Sequence, residues 1–171
     1  MDTILDWKHD TRAIPETGLS IAREATAPQR TAVAASMDLV ACTRLVAKYD
    51  IRSAAADRFL LTGTVDVTVT QTCVVTLENL ERRYTAPLDI EFWPADVLAE
   101  EADGDIDPLG ADREPIEDGR IDVGRLVYEE LVSAIDPYPR KEGASMEWED
   151  REGAERTHPF AQLAQLKRKK D

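Results

Sequence analysis

The sequence predicts an α+β fold: an antiparallel meander sheet, with a curled, barrel-like closure as its alternative, packed by two helices. Three observations predict it. Apolar and polar residues alternate with period 2 over consecutive stretches at residues 42–51, 58–73 and 82–93. Short polar links at 53–57 and 77–80 join those stretches, as antiparallel neighbours require. Two other stretches, near 28–39 and 122–135, place apolar residues at helical spacing behind a capping residue.

In chain order, Ile4-Leu5-Asp6-Trp7 reads as a short first strand and Ile14-Pro15-Glu16-Thr17-Gly18 as a turn. Thr26-Ala27-Pro28 then offers an N-cap followed by Pro in the first helical turn. The Ala-rich run behind it sets Val33, Ala34, Met37 and Ala41 on one face of a helix of about three turns. Leu45, Ala47, Tyr49 and Ile51 alternate with Arg44, Val46, Lys48 and Asp50, a half-buried strand. Val65, Val67 and Val69 alternate with Asp66, Thr68 and Thr70, and Gln71 and Cys73 continue the apolar face. After the turn at 77–80, Tyr84, Ala86, Leu88, Ile90 and Phe92 alternate again, so the middle of the chain is a hairpin with a thiol at its rim. Asp122 caps a helix whose stripe is Val123, Leu126, Val127, Leu131 and Ala134, and Asp136-Pro137 stops it.

At 171 residues the chain is long enough for one domain with a real core. Between Asp96 and Asp122 the acids crowd together with Gly104, Pro108, Gly110 and Pro115, opposed only by Arg113 and Arg120. Such a composition predicts a mobile acidic loop from about 95 to 116. The expected organisation is therefore a single α+β domain over 1–140 and a flexible segment over 141–171. That segment carries a short helical stripe (Phe160, Leu163, Ala164, Leu166) and the basic tail Lys167-Arg168-Lys169-Lys170. The amino terminus lacks the basic-then-apolar pattern of a secretion signal, and no apolar run approaches the ~18 residues of a membrane span. A cytoplasmic protein is expected, with no membrane partner.

Candidate chemistry is sparse. Zinc sites want four Cys or His ligands in spaced pairs, whereas Cys73-Val74-Val75-Thr76 offers one sulfur, and Cys42, His9 and His158 are scattered. No metal and no cofactor are expected, and Cys73 reads as a packed thiol. A Cys–His nucleophile needs a base beside Cys73, and both histidines fall in segments read as mobile termini. With no phosphate loop, serine elbow or metalloprotease motif, no enzyme is expected. A net charge of −13 repels phosphate backbones at long range and favours a basic protein partner over naked RNA. The local exceptions are Arg82, Arg83 and Tyr84, which pair cations with an aromatic ring, and the tail at 167–170. The tail is either a set of phosphate contacts or a solvated helix end, where cations suit the dipole. Asp136-Pro137-Tyr138-Pro139-Arg140 is either a recognition edge presenting Tyr138 and Arg140, or a helix stop whose Tyr138 packs on the sheet. Phe160 and its stripe dock either on the body or on a partner.

Three stretches together resemble the YceD family, the large ribosomal RNA subunit accumulation proteins. They are Gln71-Thr72-Cys73-Val74-Val75-Thr76-Leu77-Glu78 after a Gly-x-Val-x-Val strand, the run from Glu117 through Ile121-Asp122, Leu126 and Glu130-Leu131 to Pro139-Arg140, and His158-Pro159-Phe160-Ala161-Gln162-Leu163. They span roughly residues 60 to 166. The resemblance implies a non-enzymatic ribosome-biogenesis factor that supports accumulation of large-subunit (23S) RNA. Its implied partner is a large-subunit precursor or a basic ribosomal protein, with direct binding to ribosomal RNA as the alternative. Many YceD-like proteins carry Cys-x-x-Cys at the strand end; here Thr76 takes the second position, which weakens any metal or redox role.

Overall fold

The computed structural model describes residues 4–101 and 112–145. The chain divides into a unit Met1–Lys141 and a unit Glu142–Asp171; everything below concerns the first. The predicted stripe at Phe160 and the tail Lys167, Arg168, Lys169 and Lys170 lie outside the described residues.

A meander of four strands forms the body: β2 (Leu19–Glu24), β3 (Ala41–Ser53), β4 (Phe59–Thr72) and β5 (Asn79–Pro94), each antiparallel to the next. A fifth strand, β6 (Asp112–Ile116), joins β5 in parallel, so the sheet order is β2-β3-β4-β5-β6 and the sheet stays open between its edges. A small ladder pairs β1 (Lys8–Asp10) with β7 (Arg120–Asp122). Helix α1 (Ala27–Ser36) packs on β3, while α3 (Val123–Ala134) packs on β5, β4 and β1; α2 (Ala95–Glu101) follows β5.

The alternation sets the faces. Ala47, Val65 and Ala86 stand in register across β3, β4 and β5, as do Ile51, Leu61 and Ile90, and all six are buried. The opposite face carries Arg44, Lys48, Thr64, Arg83, Thr85 and Asp89, all exposed. Only one face therefore joins the core, where Val33 of α1 and Val123, Leu126, Val127 and Leu131 of α3 close over it.

The helix ends follow from named side chains. Thr26 caps α1 in a reciprocal capping box with Gln29, and Asp122 Oδ1 accepts from Arg125 N at 3.0 Å at the start of α3. Two glycines mark close approaches. A Cβ on Gly63 would sit 2.7 Å from Tyr49 Cα in β3, and one on Gly124 would collide with the Leu5 carbonyl lying over the start of α3.

Several expectations need correction. Residues 4–7 are not a strand; Leu5 and Trp7 are nonetheless core residues, and the strand begins at Lys8. Of the mobile acidic loop expected at about 95–116, the start is helix α2 and the end is strand β6, while residues 102–111 lie outside the described residues. The acids there find partners that composition does not show. Glu114 accepts from Arg125 Nη2 at 2.5 Å, Arg113 stacks 4.4 Å over the Trp93 ring, and Ile116 packs against the core. Pro115 is tolerated because β6 is an edge strand. His9 sits in β1 with Nε2 2.9 Å from Tyr49 Oη, and burial first, then Arg23, lowers its pKa.

Candidate functional site

Segment 136–141, which leaves α3, is laced to the β4–β5 hairpin end. Gln71 is the central tie: buried on the core face, it accepts from Tyr84 Oη at 2.8 Å and donates Nε2 to the Asp136 carbonyl at 2.7 Å. Both ends of its amide are satisfied, which a buried amide requires. Val74 N donates to the Pro139 carbonyl at 3.0 Å, Arg82 Nη2 to the Arg140 carbonyl at 2.5 Å, and Lys141 Nζ to Glu78 Oε2 at 2.7 Å.

Cys73 closes the same knot. Its side chain is wholly enclosed, and Sγ accepts from Lys141 N at 3.3 Å and Thr76 N at 3.4 Å. Hydrogen bonding from the Thr76 side chain, then from the Thr76 backbone, holds the thiol down to about 6; burial opposes this and loses. The lowered value favours the thiolate, and the donors aimed at the sulfur are the N–H groups of Thr76 and Lys141. An enclosed thiolate of this kind is an acceptor that fixes a turn rather than a nucleophile, since reactivity needs access. A zinc pair is not supported by the residues present. Thr76 supplies no second sulfur, its hydroxyl donates to Glu78 Oε2 at 3.2 Å, and among the described residues no three His, Cys, Asp or Glu side chains form a metal-ligating group.

Of the predicted contact residues, the structure brings Arg82, Tyr84, Tyr138 and Arg140 to this knot. Exposed Arg82 and half-buried Tyr84 lie on the sheet face that carries Gln71 and serve the knot as ties. Arg83 alternates to the opposite face, across from Thr68. Tyr138 does not pack on the sheet: it is 71% exposed, held outward by an Asx turn in which its N–H donates to Asp136 Oδ1 at 2.8 Å.

Beside the knot lies a groove of about 690 Å³. One wall is an α3 ridge of Tyr128 and Val132 continued by Ile135, and the other is Met37, Leu39 and Val40 after α1; Gln71 and Val74 lie between. Val40 and Val132 are 52% and 57% exposed, so apolar surface is left open here. Sequence reading had no means to find it. Met37 reads as part of an α1 core stripe, and Val132 falls outside the α3 stripe that the periodicity selects.

No helix among the described residues is long and apolar enough to cross a membrane. Searches among curated proteins and among solved structures return no match. A family model does match, over residues 61–167, taking in most of β4, the knot, the α3 ridge and the terminal Pro159-Phe160 motif. Its description names RNA accumulation and no reaction. The chain belongs to that family, the large ribosomal RNA subunit accumulation protein YceD family.

Proposed function

We propose that this protein supports large-subunit (23S) RNA accumulation in the bacterial cytoplasm without catalysis, as an adaptor that holds a basic ribosomal protein or an assembly intermediate. The observation that carries this reading is how the cations nearest the knot are used. Arg82 is tied to the Arg140 carbonyl and Lys141 to Glu78, while the chain as a whole carries −13. Among the described residues of the knot this leaves the Arg140 side chain for phosphate contacts, whereas a basic protein meets complementary charge that speeds encounter and selects partners. Affinity purification tests it: large-subunit precursors or a free basic large-subunit protein should be retained at physiological salt, and purified protein should bind naked RNA weakly. Tight, sequence-selective binding to free large-subunit RNA defeats the adaptor reading.

One observation favours direct RNA binding as a second reading. Arg44, Thr68 and Arg83 stand in register across β3, β4 and β5 on the face away from the core, with both arginines exposed. If that row binds RNA, the double change Arg44→Ala and Arg83→Ala should lower the salt dependence of binding by about two phosphate contacts. An unchanged slope removes this reading.

A further inference from the structure

We propose that the groove between the α3 ridge and residues 37–40 is the docking site for the protein partner, and that it takes a helical, apolar segment carrying Lys or Arg. This rests on the adaptor reading and names its site and the chemistry of what binds there. The apolar half of the argument is geometric. Tyr128 and Val132 stand at i and i+4 on α3, so they form one ridge there apart from the stripe facing the core, and the buried cap residue Ile135 lines the groove where the helix ends. A ridge at that spacing, facing Met37, Leu39 and Val40 across an open groove, is the arrangement into which an amphipathic helix lays its own i, i+3, i+4, i+7 anchors.

The charge half decides what flanks those anchors. Asp38 is the one charged side chain among the groove's lining residues. The carboxyl ends of two helices, α1 at Ser36 and α3 at Ala134, also arrive at the groove, and neither has a basic residue in its last turn. Helix carboxyl ends carry partial negative charge and attract cations. Carboxylate and helix ends together make the rim anionic, with no cation among the described lining residues to answer it. An acidic or neutral helix would fill the apolar part and leave the rim unanswered; a basic one satisfies both.

The test uses the full chain and two synthetic helical peptides with the same Leu stripe, one flanked by Lys and one by Glu, followed by fluorescence anisotropy. The Lys peptide should bind, and the Glu peptide should bind at least about tenfold more weakly. Val132→Asp should weaken the Lys peptide by about tenfold or more, because it places a charge where an apolar anchor seats. Asp38→Asn should weaken it severalfold and reduce its salt sensitivity; Asn suits the left-handed backbone at φ 53° there, so the turn is kept. Equal binding of both peptides, no binding of the Lys peptide, or indifference to Val132→Asp each overturns the inference. So do two other results: tighter binding after removal of residues 159–171, which would name the chain's own terminal segment as occupant, and a concentration-dependent dimer that Val132→Asp abolishes, which would name a second copy. The adaptor reading is judged separately. If Val132→Asp abolishes peptide binding but large-subunit precursors still co-purify, the groove assignment fails and the adaptor reading stands.

Discussion

Helix α3 turns two apolar stripes in different directions, and their exposures differ sharply. Val123, Leu126, Val127 and Leu131 are at most 3% exposed, whereas Val132, the next residue along, is 57% exposed. The buried stripe joins the core against the sheet; Val132 instead lines the groove with Tyr128. Burial of the first stripe stabilises the fold, and exposure of the second contributes nothing to it. Substitutions on adjacent residues of one helix should therefore separate stability from recognition.

The largest effects should come from the buried side. Leu131→Ala should lower unfolding stability by about 2–5 kcal/mol, the usual range for a Leu truncated in a packed core. Gly124→Ala should cost about 1–3 kcal/mol, since the added methyl meets the Leu5 carbonyl and the chain must shift. Val132→Ala should stay within about 0.5 kcal/mol. Urea titration measures all three; a Val132 effect as large as that of Leu131 would mean that the groove is closed in solution and the comparison is wrong.

A middle-sized effect sits at the knot. Gln71→Ala leaves the Tyr84 hydroxyl and the Asp136 carbonyl without their partner, which should cost about 1–3 kcal/mol. If Gln71→Ala is neutral while the backbone tie of Val74 to Pro139 still protects that amide from hydrogen exchange, the relay does not hold segment 136–141 in place.

These contrasts also show what was legible in the sequence. The three long strands could be read because the core covers one face of the sheet while most described residues on the other stay exposed, so burial writes period 2 into residues such as Val65, Val67 and Val69. The capping residues Thr26 and Asp122 were legible because their hydrogen bonds are local. Edges were not. In β2, Leu19, Ile21 and Arg23 are only half-buried, and β6 is held by parallel pairing with a strand some twenty residues upstream, so Asp112 to Ile116 shows no pattern of its own. The site divides the same way. Tyr84, Arg82 and the Pro-Tyr-Pro turn stood out one by one, but their convergence on Gln71 and Cys73 depends on contacts between residues nearly 70 positions apart.

Cys73 gives the comparison a pH axis. Its pKa lies near 6 in the folded protein against an ordinary value near 9. For a group depressed by folding, the stabilisation is fully present above the unfolded pKa and is lost as pH falls through the folded one. Stability should therefore rise as pH is raised from about 6 to about 9, and Cys73→Ser should flatten that rise while still permitting folding. A slope that survives Cys73→Ser would assign it to another group. Protein purified without chelator should also carry no stoichiometric zinc after dialysis, since the turn offers one sulfur.

The smallest effect, and the sharpest test of what holds the thiolate, is Lys141→Ala. Lys141 contributes to the knot twice: its N–H donates to Cys73 Sγ, and its ammonium pairs with Glu78 at 2.7 Å. The pair with Glu78 is exposed on both sides, and exposed pairs add little to stability. Truncation to Ala removes the ammonium and keeps the N–H. If backbone donors and Thr76 set the thiol's pKa, as the order of their effects indicates, Lys141→Ala should leave both the urea midpoint at neutral pH and the rise with pH nearly unchanged. Thr76→Val, which removes the hydroxyl but keeps the N–H, should reduce the rise visibly. Were Lys141→Ala to flatten the profile as fully as Cys73→Ser, the nearby positive charge rather than the N–H cage would be keeping the sulfur ionised, and the knot would be an electrostatic device instead of a hydrogen-bonded one.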